Sequence, residues 1–234
     1  MTGASPSPQI IWHEFDTQSD CARALAGMVA DTLTSAISAR GRAGLAVSGG
    51  RSPVGAFDEL SQTPLPWHAV QITLVDDRFV PPTHPDSNER LARSYLLRGH
   101  AAYARFTGLV SNPADIDACV AHANQLDSPL SVVMLGMGED GHTASLFPGA
   151  AQLRAGLNPA NPCRYLRVTP PAAPHDRISM TLAAILSAGR IVLLISGSHK
   201  RAVLERAQRA PDPALPVSYV VAHTGVPIDV YWHP

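Results

Sequence analysis

Two side chains able to exchange protons, Asp140 and His142, stand two positions apart in the run Leu135-Gly-Met-Gly-Glu-Asp-Gly-His-Thr-Ala-Ser-Leu-Phe-Pro148. Gly136, Gly138 and Gly141 let the backbone turn where a side chain would clash. The run follows an apolar stretch, Leu130 to Leu135, that reads as a buried strand. An imidazole on a glycine loop at a strand's C-terminal end stands where an open α/β sheet places a reacting group. The chemistry such a pair offers is general acid–base catalysis.

The same residues match G-x-G-x-x-G, a dinucleotide fingerprint that also requires an acid about 20 positions further on, for a ribose hydroxyl. No Asp or Glu occurs between His142 and His175. Asp140 would push a carboxylate toward the pyrophosphate, and Pro148 and Gly149 stop any helix soon after the loop. The surroundings therefore argue against a nicotinamide or flavin site.

Four other segments carry groups for an anionic substrate. Ser48-Gly49-Gly50-Arg51-Ser52, before Pro53, combines bare backbone amides, hydroxyl donors and a helix start, which suits a phosphate. Asp76, Asp77 and Arg78 follow a buried strand and read as a solvated ion pair or a substrate clamp. Lys200, in Ser196-Gly-Ser-His-Lys200, opens a helix where the dipole prefers an acid, a choice that an anionic ligand explains. Arg177, before Ile178-Ser-Met-Thr181, is a further candidate cation. No G-x-S-x-G elbow suggests a serine triad, and no H-E-x-x-H or His/Cys cluster suggests a metal.

These groups need a frame. Gln9 to Phe15 reads as an edge strand, followed by a helix capped by Asp16 or Thr17, running to about Arg40 and stopped by Gly41. Strands are expected at 44–47, 70–75, 106–109, 130–135, 165–168, 177–181, 191–195 and 227–232. Helices are expected at 52–60, from a cap at Asp86 to about Leu97, from Asn112-Pro113 to about Leu126, at 182–188, and from Gly197 to about Arg209. This alternation predicts an α/β fold: a Rossmann-like, parallel-rich sheet with helices on both faces, one domain over residues 1–234. Right-handed crossovers bring the loops after Val47, Val75, Leu135 and Ile195 to one sheet edge. Prolines at 159, 162, 170, 171 and 174 mark a surface excursion.

Composition limits the partners. Hydrophobic residues make up 45 % and charged residues 16 %, which excludes a disordered chain. Eighteen basic against 19 acidic residues leave a net charge of −1, so nothing draws the chain to nucleic acid or an anionic membrane. Cys21, Cys119 and Cys163 have neither zinc nor disulfide spacing. Met1 to Pro8 lacks the basic and apolar regions of a signal peptide, and the expected location is the cytoplasm.

The run from Gly136 to Gly149 resembles the signature of the 6-phosphogluconolactonase family. So do Ser48-Gly-Gly-Arg-Ser-Pro53, Val75-Asp-Asp-Arg-Phe-Val-Pro-Pro82 with Asp86-Ser-Asn88, Arg177-Ile-Ser-Met-Thr181 and Gly197-Ser-His-Lys200. The motifs fall in family order over about residues 9 to 232. The resemblance implies cofactor-free hydrolysis of 6-phosphoglucono-1,5-lactone, a step of the oxidative pentose phosphate pathway, with His142 as general base. The implied partner is a small phosphorylated sugar lactone, and the expected state is a monomer or weak homodimer. Phosphate would lie on Ser48 to Ser52 with Lys200 and Arg177, and Arg78 would steady the oxyanion or substrate hydroxyls. Asp140, Asp76 or Asp77 could orient the imidazole. The commoner family pattern has Asp-Glu-Arg where this chain has Asp76-Asp77-Arg78. The related glucosamine-6-phosphate isomerases carry a glutamate downstream of the loop histidine, which Thr143-Ala-Ser-Leu-Phe147 lacks. A sugar-phosphate sensor of this fold would need a DNA-binding module for which the chain has no spare length.

Overall fold

The computed structural model describes residues 10–126 and 129–234; Gln9 and the Met1 to Pro8 segment lie outside the described residues. The chain opens with β1 (Ile10–Glu14), α1 (Gln18–Arg40), β2 (Ala43–Val47) and α2 (Val54–Gln62). β3 (Val70–Leu74), β4 (Asp76–Arg78), α3 (Asn88–Tyr95), β5 (Arg105–Thr107), α4 (Ile116–Ala123) and β6 (Val132–Leu135) follow. The second half holds α5 (Leu153–Gly156), β7 (Tyr165–Val168), β8 (Arg177–Met180), α6 (Leu182–Leu186), β9 (Ile191–Ser196), α7 (Gly197–Ala207), α8 (Val217–Val221) and β10 (Ile228–His233).

Seven strands form a parallel sheet in the order β1-β10-β9-β6-β2-β3-β5, with helices around it. β2 and β6 are buried along their whole length, so they are apolar on both sides rather than alternating. α1 is long because Thr17 caps its start, Thr17 Oγ1 accepting from Asp20 N, and Gly41 ends it at φ +72°. Leu25, Val29 and Leu33, at helical spacing, are fully buried along it.

Several expected boundaries move. Ser87, not Asp86, caps α3, its hydroxyl accepting from Arg90 N. Asp115, not Asn112, caps α4; Asn112 Oδ1 instead accepts from Ala114 N in the preceding turn. The short α8 carries no first-turn acid and no capping side chain, so no local signal marks it in the sequence.

The larger correction concerns β7 and β8. They leave the main sheet and pair antiparallel with each other and with β4, in the order β4-β8-β7. Val75 is the crossing point: its N–H donates to Val47 O at 2.9 Å, in the main sheet, and its carbonyl accepts from Met180 N at 2.8 Å, in the small one. The segment expected as a loop after Val75 is thus a strand, carried past the C-terminal edge of the parallel sheet. Tyr165 pins the small sheet from below. Its ring is 1 % exposed, and its hydroxyl donates to Leu74 O at 2.8 Å.

Tyr165→Phe leaves a buried carbonyl without its side-chain donor and should cost about 1–2 kcal/mol of unfolding free energy. Urea unfolding at unchanged slope measures it; an unshifted midpoint would show that the hydroxyl does not hold the two sheets together.

Candidate active site

The strand order reverses between β2 and β6: the chain runs outward through β3 and β5, then returns to the other side of β2. Their C-terminal loops must part there, and an open α/β sheet keeps its ligand crevice at this point. A cleft of about 760 Å³ occupies it. Ser48, Gly49, Gly50, Arg51, Ser52, Asp76, Arg78, His142 and Lys200 all line it. Gln18, Asn88, His199 and His233 line it too, and the sequence did not single them out as ligand groups.

The His142 loop is tightly tied. Gly138 N donates to His142 O at 2.9 Å, and Thr143 Oγ1 donates to Gly136 O at 2.9 Å. Gly138 makes room for the imidazole: a Cβ there would collide with the His142 ring and Asp140 Oδ1 as they are placed. His142 Nδ1 lies 2.6 Å from Asp140 Oδ1. A carboxylate can only accept, so in the neutral imidazole Nδ1 carries the hydrogen and Nε2 keeps its lone pair. Phe147 packs on the imidazole with ring centroids 4.3 Å apart.

The other two acids have different partners. Asp76 Oδ2 accepts from Ser145 Oγ at 2.5 Å, and Ser145 N donates to Ser179 Oγ at 3.0 Å, which binds the His142 loop to the small sheet. Asp77 is 1 % exposed. It accepts from Arg78 N, Asn88 N, Glu89 N and Ser87 Oγ at 2.7–3.2 Å, and so holds the start of α3. Burial pushes its carboxyl up to about 6, helped by the charge of Asp76 and opposed by the N–H groups of Asn88, Glu89 and Arg78. Of the three acids, only Asp140 contacts the imidazole.

Arg177 is not brought to the phosphate loop or to the cleft wall. It faces Arg78 across the β4–β8 ladder and is 5 % exposed, with its Nε unpaired. Its Cζ lies 5.9 Å from the Phe147 ring centroid, and the same ring packs on His142. Burial first, then the Arg78 charge, lowers its pKa.

At the other end of the cleft, two helix starts are bare. α1, α3 and α4 each have a capping side chain and a first-turn acid. α2 and α7, at whose starts Pro53 and Gly197 to Lys200 line the cleft, have neither. Ser48 is 9 % exposed and its buried hydroxyl has no partner. Lys200 stands in the first turn of α7. Unspent N–H groups, an unpaired hydroxyl and a cation together make a receptor for an anion. Among the described residues, no group of three or more His, Cys, Asp or Glu is placed to hold a metal ion, and no helix is long and apolar enough to cross a membrane.

A histidine on a glycine loop thus stands at the sheet's switch point, across the cleft from two bare helix starts and Lys200. The family model for glucosamine-6-phosphate isomerases/6-phosphogluconolactonase matches residues 16–232, and the chain belongs to that family. It is 41 % identical over 231 residues to the 6-phosphogluconolactonase of Neisseria meningitidis, covering 95 % of this chain and 98 % of that one. The crystal structure of a 6-phosphogluconolactonase from Shewanella baltica superposes with a TM-score of 0.91 at 37 % identity, over 97 % of this chain and 98 % of the other. A monomeric glucosamine-6-phosphate deaminase shares the fold, with a TM-score of 0.77 at 21 % identity over 95 % and 97 % of the two chains.

The buried Asp77 generates a pH signature. Its carboxyl rises from an ordinary 3.8 to about 6 on folding. Between about pH 4 and 6 the folded chain keeps a proton that the unfolded chain has lost, so stability falls as pH rises, then levels. Asp77→Asn cannot titrate there. The unfolding free energy of wild type minus Asp77→Asn should shrink by about 1–3 kcal/mol across that window. A flat difference curve would mean that the donors around Asp77 fully offset its burial.

Proposed function

We propose that this chain hydrolyses 6-phosphoglucono-1,5-lactone to 6-phosphogluconate, with His142 as the general base. The observation that carries the reading is the pairing of His142 with Asp140 at one end of a cleft whose other end holds two bare helix starts, the unpaired Ser48 hydroxyl and Lys200. The likeness to 6-phosphogluconolactonases over nearly the full chain supports the substrate.

In this reading the phosphate sits on the Ser48 to Ser52 loop, between the bare starts of α2 and α7, with Lys200 as its counter-charge. Arg51 stands exposed at the rim of that loop. Water attacks the lactone carbonyl while Nε2 of His142 takes its proton, and Asp140 steadies the resulting imidazolium. Arg78 faces the oxygen on which negative charge develops. When the tetrahedral intermediate collapses, the ring C–O bond breaks and the proton on Nε2 passes to the departing ring oxygen. Arg177, beside Arg78 on the β4–β8 ladder, adds positive potential without contact. The reaction requires no cofactor. The reading takes a small phosphorylated lactone as the chain's partner, without nucleic acid or membrane, in the cytoplasm, as a monomer or weak homodimer; a net charge of −1 suits that.

His142→Ala should lose about 10²–10⁴-fold in kcat. The variant should still bind 6-phosphogluconate, because the anion receptor is built from other loops. Lactone disappearance, read against an enzyme-free control, measures the first point and product titration the second. A folded variant with near wild-type turnover would refute the general-base role.

Lys200→Ala should weaken binding of the phosphorylated lactone by about 1.5–3 kcal/mol, the value of a charge-assisted contact. The unphosphorylated lactone should bind as before. If the two lactones lose affinity equally, Lys200 does not hold the phosphate.

A further inference from the structure

Asn88 sits at the first position of α3 and is 3 % exposed. Its backbone N–H donates to Asp77 Oδ1 at 2.7 Å. Its side-chain Nδ2 donates to Asp76 O at 2.8 Å, and its Oδ1 accepts from Arg78 Nη1 at 2.6 Å. A backbone carbonyl can only accept, so the amide must turn its NH₂ to Asp76 and its oxygen to Arg78. The orientation of this amide is thereby dictated by its partners. The bond to Asn88 is the only hydrogen bond of the Arg78 guanidinium among the described residues. On its other side Asn88 packs against the anion loop so closely that a Cβ on Gly49 would collide with the amide. The side chain is wedged, not free to follow Arg78 if that arginine turns.

We propose that Asn88 is the positioning residue of the hydrolysis: it acts through Arg78, aiming the guanidinium at the lactone carbonyl. The reasoning is geometric. A half-exposed arginine samples many rotamers, and its charge stabilises an oxyanion only from one place. One short hydrogen bond to an immobile oxygen selects that place and leaves the other N–H groups for substrate. The proposal rests on the oxyanion role of Arg78 given above.

Four proteins test it: wild type, Arg78→Ala, Asn88→Ala and the double variant, each assayed for kcat and KM with the phosphorylated lactone. Arg78→Ala should lower kcat about 10²–10³-fold, as for a lost oxyanion donor. Asn88→Ala should lower kcat by roughly tenfold or more while KM stays within about threefold, because a positioning loss falls on the transition state. The double variant should match Arg78→Ala within about twofold, since Asn88 has nothing left to aim. An equal kcat loss on removing Asn88 in both backgrounds would make it a framework residue and overturn the proposal, as would wild-type turnover in Asn88→Ala. Wild-type turnover in Arg78→Ala would instead sink the Arg78 reading, and this one with it. Asn88→Cys, close to asparagine in volume and without the amide oxygen, carries the same comparison if the alanine variant does not fold. Failure of both to fold would assign Asn88 to the framework and overturn the proposal.

Discussion

Everything at the site depends on β2 and β6 being neighbours in a sheet whose strands all point the same way. Parallel pairing sends every C-terminal end to one edge. The reversal of strand order then forces the loops after β2 and β6 apart, because one crosses over toward β3 and the other toward β9. Ser48 N donates to Met134 O at 3.0 Å, so the two strands stay joined up to the last residue before they diverge. The gap beyond is fixed by the backbone. Side chains on its two lips keep their separation without any contact between them.

That crevice collects opposite charges, and the structure keeps them from cancelling. Asp76, Asp77 and Asp140 all lie near it, and a phosphorylated substrate would bring about −1.5 to −2 more charge. Each acid is committed elsewhere: Asp76 to Ser145, Asp77 to the start of α3, and Asp140 to the imidazole. Hydrogen bonding to fixed donors stabilises a carboxylate in place and reduces the field it projects into the cleft. The cations are left less committed. Arg78 has one neutral partner, and Arg177 has a buried Nε without one. An enzyme for an anionic substrate needs this asymmetry, since a paired arginine would have to break an ion pair before it could act.

Much of this was legible in the residues alone. The Thr17 and Gly41 signals bracket α1 because caps act locally. The buried strands stand out as short apolar runs, and the glycine loop with its histidine falls at a strand end as expected. What escaped depends on contacts far apart in sequence. β4 is three residues long and polar, Asp-Asp-Arg, with no propensity to mark it as a strand. It is one because β8, about a hundred positions later, supplies its ladder. The placement of Arg177 failed for the same reason: its motif was visible, but the ladder that buries it was not. Asn88 lay inside a quoted motif, yet only the fold brings its amide between Gly49 and Arg78.

The division of labour among Asp76, Asp77 and Arg78 follows from that short strand. Successive side chains on a strand point to opposite faces. Asp76 and Arg78 therefore share the cleft face, and both line it. Asp77 points the other way, into the body of the protein, where it takes the N–H groups of Asn88 and Glu89. The antiparallel partner repeats the pattern, placing Ser179 opposite Asp76 and Arg177 opposite Arg78. Ser145 can consequently reach Asp76 and Ser179 together, and the two arginines stand side by side. A glutamate in place of Asp77 would add a methylene to a position 1 % exposed, and α3 would have to sit further from β4 to admit it. Because Asn88 begins α3 and aims Arg78, the length of the acid at 77 sets the distance from which the guanidinium is held. The departure from Asp-Glu-Arg is thus a change in the support of the cleft, felt at Arg78 through α3, while the two residues that face the cleft remain the same.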